Sequence, residues 1–161
     1  KVLRKSASQL IANDAMQLSL MIQDNSLEDS TQTALKKYAR ADLLALQNRD
    51  KEAIEVLDEI LLTHKGESIE DEALLLQGQV YENMNEFEKA EANYLKLIEF
   101  YKDDILADDA HFKLAVLYET KLDQPKKAKE LYEQIVFNYA ASIFFVDARK
   151  RFRLLRGDEI N

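Results

Sequence analysis

The sequence of 161 residues has no cysteine and no tryptophan, and it holds only three glycines and one proline. Without cysteine it can form neither disulfides nor thiolate metal sites. Gly66, Gly78 and Gly157 lie far apart, so no glycine-rich loop is available to bind phosphate. Few turn-forming residues also disfavour a sheet-rich fold. With only two histidines, His64 and His111, the composition indicates a binding module rather than an enzyme, and it predicts no cofactor and no metal.

The chain is also short of positive charge. It carries 22 basic and 30 acidic residues, a net charge of −8, which repels a phosphate backbone, so no nucleic-acid partner is predicted. No apolar run approaches the roughly 20 residues that span a bilayer, so no transmembrane segment is predicted. Because the chain begins at Lys1 rather than Met, we expect it to be a piece of a longer protein.

Two sets of small residues recur along the chain at nearly the same interval. Ala41, Gly78 and Ala115 are spaced 37 and 37 residues apart. The second set is spaced 37 and 38 residues apart and consists of Ala53, Ala90 and Ala128. Large residues follow three positions after the first set and four after the second, at Leu44, Tyr81, Tyr118, Leu57, Tyr94 and Tyr132. Two sets of positions that recur at nearly the same interval predict a repeated structural unit.

Each unit has the pattern of a helix pair. Apolar side chains in residues 87–101 recur at helical spacing, Asn85 is a candidate N-cap with Glu88 three positions later, and Pro125 suits a first helical turn. The pattern predicts helices at 8–24, 31–48, 50–64, 69–84, 87–101, 106–121, 125–139 and 142–156. It divides the chain into a half-repeat helix at 8–24, repeats at 33–66, 70–103 and 107–141, a capping helix at 142–156 and a tail at 157–161.

Helix packing explains why small residues recur at these positions. Gly or Ala allows two antiparallel helices to approach closely, and a ring from the neighbouring helix fills the adjacent hollow. We therefore expect Gly78, Tyr81, Ala90 and Tyr94 to be buried at one helix crossing.

This pattern resembles the tetratricopeptide repeat, whose consensus reads W-x2-L-G-x2-Y, then A-x3-F, then P. The second repeat matches it through Leu74, Gln77, Gly78 and Tyr81, followed by Ala90 and Tyr94. The third matches through His111, Leu114, Ala115 and Tyr118, followed by Ala128 and Tyr132. The first is degenerate but in register, through Lys37, Arg40, Ala41 and Leu44, followed by Ala53 and Leu57. The resemblance implies an all-α, right-handed α–α superhelix of about three helix pairs.

The repeats depart from the family pattern in two respects. Their period is 37–38 rather than 34 residues, and Lys65, Lys102 and Ala140 stand where the closing proline is expected. The longer links resemble the tetratricopeptide arrays of bacterial cell-envelope proteins. Residues 107–158 resemble the C-terminal end of large proteins of this kind from Bacteroidetes-type bacteria. The resemblance therefore favours the periplasm or cell envelope of a bacterium, and the cytoplasm is the alternative.

The resemblance also implies a binding groove, because the first helix of each pair lines the concave side of such arrays. The positions off the packing register are Tyr38, Asp42, Leu46, Leu75, Gln79, Glu82, Asn83, Phe112, Val116 and Glu119. They predict an apolar floor with carboxylates at its sides, suited to an extended or helical partner segment that has apolar anchors and flanking Lys or Arg. The alternative is that Leu75 and Phe112 simply pack against adjacent repeats.

A second candidate surface is the basic C-terminal helix. Its cations are Arg149, Lys150, Arg151, Arg153 and Arg156. One interpretation is a face that binds anionic lipid or an acidic partner. The other is a capping helix, whose apolar side packs on the array while the cations point outward or pair with acidic neighbours such as Glu130 and Glu133.

The apolar pattern of the N-terminal helix predicts that it self-associates or packs against an upstream segment. Residues 8–24 carry an apolar stripe that includes Leu10, Ile11, Leu18 and Ile22. By register, this is the second helix of a repeat whose first helix is missing, so one apolar side has no partner within the chain.

Two functions of different classes follow from the sequence. The first is a protein–protein interaction scaffold that binds a peptide or partner protein in the groove. The second is a structural segment of a larger repeat protein that contacts its own chain or further copies of itself.

Overall fold

The computed structural model describes residues 16, 18–23, 32–102 and 104–158. Seven helices have defined bounds: α1 Thr33–Leu46, α2 Asp50–Thr63, α3 Ile69–Asn83, α4 Phe87–Phe100, α5 Ala107–Thr120, α6 Pro125–Asn138 and α7 Phe145–Arg156. Met16 and residues 18–23 are also helical. The described residues contain no strand, and the chain is accordingly an all-α array, as predicted.

The helices form three pairs, α1–α2, α3–α4 and α5–α6, followed by α7. Each helix packs chiefly against its neighbours in sequence, and α1 and α3 are also in contact. We call α1, α3 and α5 the first helices and α2, α4 and α6 the second helices. The predicted capping helix begins at Phe145 rather than at residue 142, because Ser142 forms a turn in which its Oγ accepts a hydrogen bond from the Phe144 amide at 3.0 Å.

Each turn within a pair contains a residue in the left-handed region. Asn48, Asn85 and Asp123 have φ of 58°, 59° and 50°, and they recur at the period of the repeat. The prediction that Asn85 caps α4 is wrong, because this residue forms the left-handed turn and Glu86 occupies the N-cap position. Asn and Asp tolerate this conformation better than other non-glycine residues, which explains how the chain makes these turns with so little glycine.

The helix crossing predicted around Gly78 is present. Gly78 is buried, and Ala90 and Tyr94 have no exposed surface. A Cβ atom added to Gly78 would lie 2.5 Å from Cε1 of Tyr94, so the ring lies directly on the glycine backbone. Tyr81, by contrast, is only half-buried at the edge of the core.

Candidate functional site

The three first helices contribute to one cavity of about 260 Å³, which we call the first-helix cavity. Its wall is formed by residues of α1, of α3, of α5 and its preceding link, and of the N-terminal helical residues; these are Tyr38, Glu72, Leu75, Gln79, Ile105, Leu106, Asp109, Lys113, Leu20 and Met21. Side chains from successive repeats thus line a single cavity.

The structure brings together three of the ten predicted groove residues in this cavity: Tyr38, Leu75 and Gln79. Leu75 is only 9% exposed and forms the floor. The others lie outside the lining. Leu46, at the end of α1, is 74% exposed, and Asn83, at the end of α3, is also exposed.

Phe112 is half-buried against helix α7 and its preceding link. Its ring stacks on that of Phe144 at 4.4 Å between centroids, and it meets the Tyr132 ring edge-on at 6.0 Å. These contacts are made with α6 of the same pair and with the link before α7, and a groove role for Phe112 stays a prediction. Val116, one turn later, is also half-buried against the same core.

Two predicted groove carboxylates accept hydrogen bonds from buried tyrosines. Tyr94 Oη donates to Glu82 at 2.5 Å, and Tyr132 Oη donates to Glu119 at 2.7 Å. Each bond joins the first and second helix of one pair. Glu82 and Glu119 therefore hold the pairs together, a role that sequence reasoning missed because the acceptors lie 12 and 13 residues from the donors among thirty acids.

Burial changes the pKa values of several ionisable groups in or near the first-helix cavity. Burial raises the pKa of Asp42 above its ordinary value. The pKa of Asp109 is raised to about 6 by burial first and by the neighbouring Asp108 second, while Lys113 opposes the rise. The hydroxyl of Tyr38 also has a raised pKa, because it is buried and lies near Asp42, Glu72 and Asp71. The cavity thus holds more negative charge than its own cation balances.

We expect Asp109→Asn to stabilise the chain at pH 7.5 and to have little effect below pH 4. The acid's pKa is raised from 3.8 to about 6 in the folded chain, so its contribution is most favourable at low pH and is lost as the pH rises through 6. One pKa unit corresponds to about 1.4 kcal/mol, and the lost favourable charge at the start of α5 offsets part of the gain, which leaves about 2 kcal/mol. Thermal melting of both chains between pH 3.5 and 7.5 measures the difference; a constant difference contradicts the assignment.

Three of the five cations of helix α7 form ion pairs, and one of the three, Arg151, pairs with a residue of the repeats. Arg151 Nη1 donates to Glu119 at 2.8 Å, and its Nε pairs with Asp147 at 3.3 Å. Arg153 and Arg156 both pair with Asp158, at 3.2 and 2.5 Å. These partners differ from the predicted Glu130 and Glu133.

The outer side of α7 carries two exposed cations. Arg149 and Lys150 are exposed, and Arg151, Arg153 and Arg156 make the ion pairs of this helix within residues 145–158. The inner side packs through Ala148 and Phe152, both buried in the main core. Among the described residues, Arg149 and Lys150 are accordingly the cations of the predicted basic face that form no ion pair.

We expect Arg151→Ala to destabilise the chain by about 1 kcal/mol, more than an exposed ion pair contributes. The substitution removes the cation from Glu119, which then faces the Tyr132 hydroxyl alone. Lys150→Ala is the matched control on the same helix and should change stability by less than about 0.5 kcal/mol. Urea unfolding compares the two, and equal midpoints would show that the Arg151–Glu119 contact does not anchor α7.

The described residues contain no cluster of side chains suited to metal binding. None of them forms a group of three or more His, Asp or Glu side chains able to hold a metal ion. His111 is buried, and its Nδ1 lies 2.7 Å from the carbonyl oxygen of Ala107, as expected for a packing residue. Among the helices with defined positions, none has the length and apolar character that crossing a bilayer needs.

Two family models, both described as tetratricopeptide repeat, match residues 71–104 and 109–142. These two stretches are tetratricopeptide repeats. The matches fall on the α3–α4 and α5–α6 pairs, and the array is a tetratricopeptide-like α–α superhelix. Comparison with curated proteins gives no match.

Tetratricopeptide repeats generally mediate protein–protein interaction, and proteins built from them are typically scaffolds without enzymatic activity. The repeats therefore point to protein partners.

Proposed function

We propose that this chain is a protein-interaction scaffold that binds a segment of a partner protein in the first-helix cavity. The proposal includes the predicted division into three repeats with α7 as their cap, and a process in bacterial cell-envelope assembly. The observation that carries it is the cavity itself: side chains from three first helices converge there, with an apolar floor at Leu75 and carboxylates around it.

The lining indicates what kind of segment fits. Leu75, Ile105 and Leu106 offer apolar surface, whereas Glu72 and Asp109 offer negative charge. A segment with one or two apolar anchors and a nearby Lys or Arg satisfies both.

Site-specific photo-crosslinking tests the proposal. A photoreactive amino acid replaces Gln79 in the cavity, Glu55 on the exposed side of α2, or Arg149 on α7, and each chain is irradiated in extracts of its source cells. We expect a discrete crosslinked partner from position 79 alone, and its loss when the bulky substitution Leu75→Trp obstructs the cavity. Capture from position 149 instead would contradict the cavity and identify the basic helix as the interface.

A structural segment that associates with copies of itself is the second candidate. One observation favours it: Met16, Leu18 and Ile22 in the N-terminal helical residues are 64%, 53% and 43% exposed. Exposed apolar stripes of this kind commonly mark contact surfaces. Sedimentation of the chain over a wide concentration range separates the two candidates, because a strictly monomeric chain rules out self-association through residues 8–24.

A further inference from the structure

Part of the wall of the first-helix cavity is supplied by this chain's own N-terminal helical residues. Leu20 and Met21 are half-buried and line the cavity together with Tyr38, Leu75 and Gln79. The same cavity is lined by residues of α1, α3 and α5, and self-association or upstream packing through residues 8–24 stays a prediction. Residues 8–15, 17 and 24 lie outside the described part of the chain.

This segment matches the cavity in polarity. Leu20 and Met21 follow one another on a helix and line the cavity together with the apolar side chains of Leu75, Ile105 and Leu106. Methionine has a flexible, polarizable side chain that adapts to irregular apolar surfaces. An apolar side of a helix therefore suits this cavity, which favours the helical over the extended partner segment of the two that the sequence leaves open.

The same segment brings no positive charge to the cavity. The sequence contains no Lys or Arg from Ser6 to Leu35, so the N-terminal helical residues add no cation to the carboxylates around them. Asp109 is desolvated next to Asp108, and Lys113 opposes the resulting rise in its pKa. A helix that adds a cation at this point gains an interaction that the chain's own helix lacks.

We propose that Met16 and residues 18–23 cover the first-helix cavity in cis, and that the partner is an amphipathic helix with a Leu- or Met-type apolar pair and a flanking Lys or Arg, which binds by displacing them. This inference rests on the proposed function. A tethered segment competes at an effective concentration of about 1 mM, so a partner present at about 10 μM needs an intrinsic affinity about 100-fold higher. Charge complementarity to Asp109 and Glu72 supplies a part of that difference.

The test uses the whole chain and a defined probe, a labelled peptide with the sequence of residues 10–27. Three chains are compared by fluorescence anisotropy: the natural chain, Leu20→Ser with Met21→Ser, and the matched control Leu18→Ser with Ile22→Ser, whose side chains are exposed. Releasing the cis helix should increase peptide affinity at least about tenfold, whereas the control should behave as the natural chain. Equal affinity for all three chains, or no binding to any, overturns the inference.

A second peptide tests the charge argument. Gln23→Lys places a cation on a flank of the helix, and it should bind the Leu20→Ser/Met21→Ser chain several-fold more tightly than the natural sequence, with the advantage lost at about 0.5 M salt because ionic interactions are then screened. If the lysine gives no advantage at low salt, the proposed partner chemistry is wrong.

A fluorescent reporter reads the displacement directly, because the natural chain has no tryptophan. Met21→Trp should emit as a partly buried indole and shift towards the red when the Gln23→Lys peptide is added. Leu18→Trp should emit as an exposed indole throughout. Identical spectra for the two chains would overturn coverage in cis even where the serine variants fail to fold.

The outcomes also separate this inference from the proposed function. If photo-crosslinking at position 79 captures a partner but the peptide binds no variant, the cavity is an interaction site that no cis segment covers. If the peptide behaves as expected but partners crosslink only through position 149, the cavity is closed by its own helix and the scaffold function belongs to α7.

Discussion

Gly78→Leu is expected to destabilise the chain by about 3 kcal/mol or more, because overpacking at this crossing has no route of relief. Even a bare Cβ at this position would lie 2.5 Å from Cε1 and 2.9 Å from Cζ of Tyr94. The Tyr94 ring has no exposed surface into which it could move. Chemical denaturation measures the change, and Asn83→Leu, at an exposed site of the same helix, should stay within about 0.5 kcal/mol.

Gly78→Ala tests the same close contact with Tyr94 by means of a smaller side chain. Alanine favours a helix over glycine by about 1 kcal/mol, so a position with free space would become more stable. We expect a loss instead, since the added methyl group meets the tyrosine ring. An increase in melting temperature for Gly78→Ala would contradict the close approach of α3 and α4.

Tyr94→Ala is expected to cost about 3–5 kcal/mol, the usual range for removing a large buried aromatic side chain. Tyr94→Phe keeps the ring but removes the hydrogen bond to Glu82, and should cost about 1–2 kcal/mol, as for a bond to a charged acceptor. Leu95→Ala is the control at the adjacent position, where the side chain is 44% exposed, and its loss should be below about 1 kcal/mol. Similar losses for Tyr94→Ala and Leu95→Ala would mean that the register of the repeat is misassigned.

The two sites should be coupled. In the Tyr94→Ala background the hollow beside Gly78 is empty, so Gly78→Ala should become stabilising by about 1 kcal/mol through helix propensity alone. This reversal of sign is the signature of a direct contact in a double-mutant cycle. Additive effects would instead indicate that the two residues act independently.

The helices of the array could be predicted from the sequence because small and large residues recur at one interval. The predicted bounds of α2 and α4 agree with the structure to within one residue at each end. The turn at Asn85 was interpreted wrongly, because asparagine serves equally well as an N-cap and as a left-handed residue. Only its recurrence with Asn48 and Asp123 separates the two roles, and that signal was present in the sequence.

The site was less predictable than the helices. Gln79 and Leu75 were assigned to the groove from their register alone, and they line the cavity. Glu82 and Glu119 were assigned in the same way, yet each accepts a tyrosine hydroxyl, a pairing that depends on how two helices rotate against each other. The approach of Leu20 and Met21 depends on the path of the chain between distant segments, which no periodicity encodes.

The order of contacts along the array has a mechanical consequence. Each helix packs chiefly against its sequence neighbours, and Tyr118 Oη donates to Glu91 at 2.6 Å across the boundary between the second and third pairs. When the two ends of such a chain are pulled apart, the load passes through these boundaries in series, so pairs detach one after another rather than together. Each detachment of a 37-residue unit releases about 130 Å of extended chain. A longer protein carrying this array would therefore yield under tension in regular steps and act as an extensible tether between whatever is attached to its ends.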